Sequence, residues 1–300
     1  MRRWTALGVG AGLVVLSACG PAGTAIDPPA PGRPFPLLQG TRGLYVDPDN
    51  PAALWLRTAP ADPRAELIRT HIATRPAAHL VTAPTAEVAA DVRRVASGAA
   101  GAHLLPVFLA SPDRTGGCAS DHHGWFAELA HGLGNTPALV VVQAGHACAD
   151  RAQVLSDAVS TIRQATTATV LIDVSDAASP QDAAALLAPA GADGFAVNVG
   201  GYTPIDKATT TVNAIRAAAG RTGYTAVVDG SRNDVPVAGT CNPPGARAGQ
   251  YMSLTPRQDD VQQLWLTTPG ISDGSCGTAP SSRAGEFVPD LAAALAQQPT

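Results

Sequence analysis

The chain has 300 residues, 45% of them hydrophobic and only 15% charged, with a formal charge of −4 near neutral pH. That length and apolar content can fill one large α/β domain or two smaller ones. The mild acidity, without any cluster of lysine and arginine, excludes nucleic acid as a partner.

Arg2 and Arg3 precede an apolar run from Ala6 to Leu16, too short to cross a bilayer as a mature helix. The run ends in Leu16-Ser17-Ala18-Cys19-Gly20, which resembles a bacterial lipoprotein signal. Residues 1–18 then read as a signal peptide and Cys19 as the lipidated first residue of an exported protein, held at the outer face of the cell membrane. An ordinary secretory signal with an incidental cysteine is the alternative. The Pro-, Gly- and Ala-rich stretch 19–40 reads as a linker, and residues 41–298 as the folded part.

Within that part, short apolar runs alternate with Ala-rich amphipathic stretches. The predicted strands are Gly43–Val46, His79–Thr82, His103–Leu109, Ala138–Gln143, Ala168–Asp173, Gly194–Val199, Tyr224–Asp229 and Gln263–Leu266. Their near-continuous aliphatic character suits strands buried on both faces. The predicted helices are Ala61–Ala73, Ala86–Ala96, Gly124–Leu133, Arg151–Gln164, Pro180–Leu187 and Asp206–Ala219, with Ser179 as a cap before Pro180. Repeated strand–helix units indicate a parallel α/β sheet, and periodicity alone leaves open whether it closes into a barrel.

No Gly-x-Gly-x-x-Gly opens a helix and no phosphate loop is present, so no nucleotide cofactor is expected. No closely spaced Cys or His pair suits zinc, and no metal is expected either. His122-His123 beside Asp121 reads as a surface loop, because adjacent residues seldom ligate one ion. Besides Cys19, four cysteines remain: Cys118, Cys148, Cys241 and Cys276. In an exported chain they point to disulfides, with three connectivities open.

The C-terminal half carries the most specific signals. They are Asp229-Gly230-Ser231-Arg232-Asn233, then Cys241-Asn242-Pro243-Pro244-Gly245, then Pro269-Gly270-Ile271-Ser272-Asp273-Gly274, supported by Gly194-Phe195-Ala196-Val197-Asn198-Val199. In this order they resemble glycoside hydrolase family 6, the inverting β-1,4-glucanases and cellobiohydrolases. The resemblance extends from Tyr45-Val46-Asp47-Pro48 to the tail beginning Ala284. It implies that residues 41–298 are a single domain, a distorted, incomplete (β/α) barrel of about seven strands. It also implies disulfides Cys118–Cys148 and Cys241–Cys276, a β-glucan-like polysaccharide or oligosaccharide as partner, and a monomer.

Inverting hydrolysis needs one protonated carboxyl at the leaving oxygen and a second that drives water onto the opposite face. By the resemblance, the acid would end the strand Val140-Val141-Val142, but Gly145 stands there. Thr115 stands where a helper Asp is expected, and Gln143 where a Glu is. The base side is matched by Asp229 and Asp273, and the substrate side by Asn198, Arg232, Asn233 and Asn242. Thr267 and Ile271 replace a Lys and a Glu that would give charge-assisted hydrogen bonds to sugar hydroxyls. His79, Thr240 and Leu109 stand where aromatic platforms are expected, and Trp55, Trp125 and Trp265 read as core residues. His146, Asp113 and Asp150 are the neighbours that could substitute for the acid. Asp229 also has a structural reading, pairing with Arg232 or capping the following turn. Three functions follow: an impaired family member that binds carbohydrate or acts as a scaffold at the cell envelope, a working β-glucan hydrolase with an unusual acid, and a protein-interaction module.

Overall fold

The computed structural model describes residues 43–112, 121–145, 148–251 and 261–297. Cys19, Asp113, Thr115, Cys118 and His146, with the predicted signal peptide and linker, lie outside the described residues. Seven parallel strands pair in chain order: β1 (His79–Val81), β2 (Val107–Ala110), β3 (Leu139–Val142), β4 (Thr169–Asp173), β5 (Gly194–Val197), β6 (Thr225–Asp229) and β7 (Val261–Leu264). Helices α1 (Pro51–Thr58) and α2 (Ala65–Ile68), the latter continuing as a π-helical turn Arg69–Ala73, come before β1. Crossover helices α3 (Thr85–Ala102), α4 (His122–Leu133), α5 (Arg151–Ala165), α6 (Pro180–Ala190) and α7 (Ile205–Ala218) join β1 through β6. Helix α8 (Pro289–Ala296) follows β7.

Side chains alternate across each strand, so each contributes to two apolar layers. Outward, Phe108, Val140, Val142, Val170, Ile172, Phe195 and Val228 pack against the helices. Inward, Leu109, Leu139, Val141, Leu171, Ala196, Val227 and Leu264 fill the curled interior. Each of the larger side chains, Ala196 aside, contributes about 1.5–3 kcal/mol when fully buried. The curl is the incomplete barrel that the family resemblance implied. Across its seam the Ala78 N–H donates to the Trp265 carbonyl at 2.8 Å. A third apolar cluster of Leu56, Ile68, Ile72, Trp265 and Ala292 seals that side with α1, α2 and α8.

Several predicted boundaries shift, each for a local reason. Gly43–Val46 contributes a single parallel bridge, Leu44 to Leu105, because the chain turns at once from Asp47 to Asn50. Helix α3 runs past Ala96 to Ala102, and His103 ends it in the left-handed region at φ 56° instead of opening a strand. Gly98 within that helix is tolerated because a Cβ there would stand 2.3 Å from the Tyr45 hydroxyl. Strand β7 begins at Val261. Helix α1 was not predicted, although Asn50 Oδ1 accepts from Ala53 N–H at 3.0 Å and Pro51 opens it; α8 also begins at a proline. His122 and His123 are not in a loop: they form the first turn of α4, capped by Asp121 through the Gly124 N–H at 3.0 Å.

Candidate active site

The alternation that fills the interior also builds a polar rim. Beyond the last inward apolar residues Leu109, Val141, Leu171, Ala196 and Val227, the next inward positions are Ser111, Gln143, Asp173, Asn198 and Asp229. The first four line a cleft of about 490 Å³ at the C-terminal ends of the strands, with Gly145, Tyr202 and Thr240. Open α/β sheets and barrels place ligand sites at this end. Gly145 therefore faces the cleft, at the position the resemblance assigns to the acid, and brings no side chain.

Asp229 does not line the cleft. It is fully buried beneath it, and both carboxylate oxygens are saturated by donors. Oδ1 accepts from the backbone N–H of Ser231 (2.9 Å) and of Leu266 (3.1 Å). Oδ2 accepts from the Gly200 N–H (2.7 Å) and the Thr267 hydroxyl (3.1 Å). Burial pushes its pKa up, while the three backbone donors and Ser231 oppose that shift. With two donors on each oxygen, no lone pair is left to take a proton from water. Asp229 caps the turn after β6, as one of its readings anticipated, but it does not pair with Arg232.

Arg232 pairs with Asp273. Its Nη1 lies 2.5 Å from Asp273 Oδ1 and 2.8 Å from the Tyr202 hydroxyl, and Nη2 donates to the Ile271 carbonyl at 2.6 Å. Asp273 Oδ2 accepts from the Tyr202 hydroxyl (2.7 Å) and the Asn242 N–H (2.9 Å). Burial carries the Tyr202 phenol to about 12; Arg232 opposes the shift and Asp273 adds to it, so the phenol stays a donor. The Asp273 side chain is 22% exposed and its Oδ1 has one lone pair unoccupied by these partners. Of the two carboxylates, it alone retains both solvent access and acceptor capacity.

The other residues singled out from sequence fall into two groups. Asn233 and Asn242 are buried, and Asn242 ties two loops together: its amide donates to Ser272 Oγ and the Gly274 carbonyl while its Oδ1 accepts from the Asp273 N–H. Asn198 lines the cleft but braces its own loop, accepting from Thr203 N–H (3.0 Å) and donating to the Asp229 carbonyl (3.0 Å). Cys241 and Cys276 form a disulfide beside this network. Cys148 is disulfide-bonded too, and Cys118 lies outside the described residues. Asp150 stands exposed at the start of α5.

Thr240 lies on the cleft wall, whereas Leu109 is packed inside and Thr267 is bonded to Asp229. Ile271 lines a separate apolar recess beside α8. His79 does not face the cleft: it points outward, between Asp47 (3.1 Å) and Asp91 of α3 (2.9 Å). The inward neighbour on β1 is Leu80, 37% exposed and in register with Leu109. Trp125 and Trp265 are buried with their indole N–H groups bonded to the carbonyls of Ala83 and Gly249. Trp55 is partly buried against Phe287.

Asp173 and Tyr202 were not singled out from sequence. The signal for Asp173 was present: it ends a predicted strand, two residues past an inward leucine, level with Gln143 on the neighbouring strand. It is 8% exposed, and burial raises its pKa above the ordinary carboxylate range against the hydrogen bonds of Gln143 and Ser175.

A family model described as "Glycosyl hydrolases family 6" matches residues 131–299. The chain is 34% identical over 289 residues to Endoglucanase 1 of Streptomyces halstedii, covering 84% of this chain and 88% of that protein. It is 30% identical over 321 residues to Endoglucanase A of Thermobispora bispora, covering 96% of this chain and 66% of that protein. Among solved structures, the endoglucanase Cel6 from Mycobacterium tuberculosis, in complex with methyl-cellobiosyl-4-deoxy-4-thio-β-D-cellobioside, matches with a TM-score of 0.73 and 28% identity, over 87% of this chain and 97% of that one. An Orpinomyces sp. Y102 enzyme matches in fold with a TM-score of 0.68 at 18% identity, over 86% of this chain and 96% of that one.

Proposed function

Because the chain belongs to glycosyl hydrolases family 6, we propose that it is a β-glucan-binding member whose hydrolytic step is impaired. It acts as a monomer, exported and lipid-anchored through Cys19 at the outer face of the cell membrane, where it binds cell-envelope or environmental glucan. The observation that carries this reading is the contrast within the site. The polar cleft is kept, yet the strand end that should present an acid presents Gly145. The burial and four donors of Asp229 support the same conclusion, since they remove one of the two base-side carboxylates from reach. The cellobioside bound in the Cel6 structure supports a β-glucan as the ligand class.

The test pairs binding with turnover. Titration of the purified protein with soluble cello-oligosaccharides should give saturable binding, and incubation with the same sugars should give little or no reducing-end release. Gly145→Asp should then raise turnover by about a hundredfold, the lower end of the range for a general acid because Thr115 leaves the helper position empty of charge. Wild-type turnover already at the level of an endoglucanase would overturn the impairment. Absence of oligosaccharide binding would overturn the β-glucan assignment.

A further inference from the structure

We propose that Asp173 supplies the proton for the glycoside cleavage that remains in this cleft. This assignment rests on the β-glucan reading of the cleft and names the group that acts there in place of Gly145.

The geometry starts from strand register. Ile172 on β4 is level with Val142 on β3, so Asp173 stands beside Gln143, and the Gln143 amide lies 2.7 Å from Asp173 Oδ2. Both side chains line the cleft wall that Gly145 also lines. The remaining contacts fix where a proton sits. Ser175 Oγ accepts from the Val199 N–H at 2.8 Å and directs its own hydrogen at Asp173 Oδ1, 2.5 Å away; the Ser175 N–H reaches the same oxygen at 2.9 Å. Oδ1 thus meets two donors and is an acceptor only. Oδ2 has Gln143 as its partner and keeps a second position, so the proton of the neutral acid belongs on Oδ2. That oxygen lies toward β3, the strand that leads to Gly145.

Asp229 differs on each point, being fully buried below the cleft with both oxygens saturated. Burial also favours the neutral form of Asp173. The charged groups facing it among the described residues are Asp176 and Arg151. Arg151 bonds the Asp173 carbonyl (3.2 Å) and pairs with Asp176 (2.6 Å), so these two charges largely offset each other.

In the step itself, the Asp173 proton passes to the glycosidic oxygen as the bond from C1 to that oxygen breaks, and the bonding electron pair leaves with the oxygen. Water adds to C1 from the other face and gives its proton to solvent. The Asp173 carboxylate regains a proton from water, and no other reactant is consumed.

Leaving-group dependence tests this assignment. A donor matters for an alkyl β-cellobioside, whose leaving oxygen must be protonated, and hardly at all for the 2,4-dinitrophenyl analogue. Asp173→Asn should lower alkyl-cellobioside cleavage by at least about thirtyfold and dinitrophenyl cleavage by less than about threefold. Cellotetraose binding should stay within about twofold. Gln143→Met, which removes the donor on Oδ2, should move the high-pH decline of wild-type cleavage to higher pH, because a lost donor weakens the carboxylate form. Equal losses on both substrates, or no loss on either, would overturn the role of Asp173. A wild-type protein that binds cellotetraose but cleaves neither substrate would overturn it too, leaving the binding assignment intact. A wild-type protein that does not bind cellotetraose would bring down the β-glucan assignment itself.

Discussion

Substituting Asp229 by alanine should unfold the protein far more than it disturbs chemistry. The carboxylate accepts from the N–H groups of Gly200, Ser231 and Leu266 and from the Thr267 hydroxyl, at 2.7 to 3.1 Å. Without it, the Thr267 hydroxyl keeps its 2.6 Å contact with Ser231 Oγ, and Gly200 is only partly buried and can turn to water. The Ser231 and Leu266 donors cannot, because both residues are fully buried. Two stranded donors at about 1–3 kcal/mol each, together with the cavity, give a loss of about 3–5 kcal/mol. For a domain of this size that lowers Tm by roughly 10 °C. Asp229→Asn keeps one acceptor oxygen and sets an amide N–H against Gly200, so it should lose roughly 2 kcal/mol. Urea unfolding followed by circular dichroism gives the free energies, and dinitrophenyl-cellobioside cleavage gives the chemistry. The reasoning fails if Asp229→Ala unfolds within about 0.5 kcal/mol of wild type while cleavage drops by more than about a hundredfold, the pattern of a catalytic base.

The other predictions concern the scaffold and the anchor. Burial lowers the His79 pKa, but Asp47 and Asp91 outweigh it and raise it to about 9, so the stabilisation is fully present below about 6.5 and lost as pH climbs through 9. Wild-type stability should fall over that window by up to about 3 kcal/mol, and His79→Gln should flatten the profile; a wild-type curve flat from pH 6.5 to 9 refutes this. Replacing both Cys241 and Cys276 by alanine frees a loop of sequence separation 35 and should cost about 4 kcal/mol in the chain-entropy account. Equal urea midpoints for the two forms would count against that estimate. Cys19→Ala should move the protein from the membrane to the soluble fraction, and continued membrane retention would exclude Cys19 as the anchor.

The barrel was legible because its strands carry one message twice. Leu139, Val140, Val141 and Val142 are apolar at every position since both faces are buried, one against helices and one against the interior. The ends of elements were less legible because tertiary contacts decide them. Ser97-Gly98 looks like a helix stop, yet α3 continues to Ala102, and the glycine is there because the Tyr45 hydroxyl occupies the space a Cβ would need. His79 shows the same limit at a single residue. The resemblance marked it only as a residue standing where an aromatic platform is expected, and the observed alternation in β1 shows that it faces Asp91 and that Leu80 faces inward. Asp173 was overlooked for a related reason. The pair Ile172-Asp173 resembles the start of a family strand and nothing more, and the importance of Asp173 comes from register with Gln143 on another strand.

The positions that match the family pattern and those that depart from it differ in what their side chains hold together. Asp229, Arg232, Asn242 and Asp273 match, and each bridges separate backbone segments: β6 to the loops at Gly200 and Leu266, and the loop at Asn242 to that at Asp273. Gly145, Gln143 and Thr240 depart and stand on the cleft wall, whereas Leu109, Thr267, Ile271 and His79 also depart but are held by packing or hydrogen bonds away from it. A change on the wall alters what a ligand meets and leaves the loops in place. Matched carboxylates are therefore weak support for catalysis in this chain, because folding alone accounts for Asp229 and largely for Asp273. The more informative carboxylate is Asp173, which lines the cleft and whose Oδ2 has Gln143 as its one hydrogen-bond partner among the described residues. A group that the scaffold does not fully occupy is the one available for chemistry, and on that criterion the cleft retains a proton donor on β4 after losing the one expected from β3.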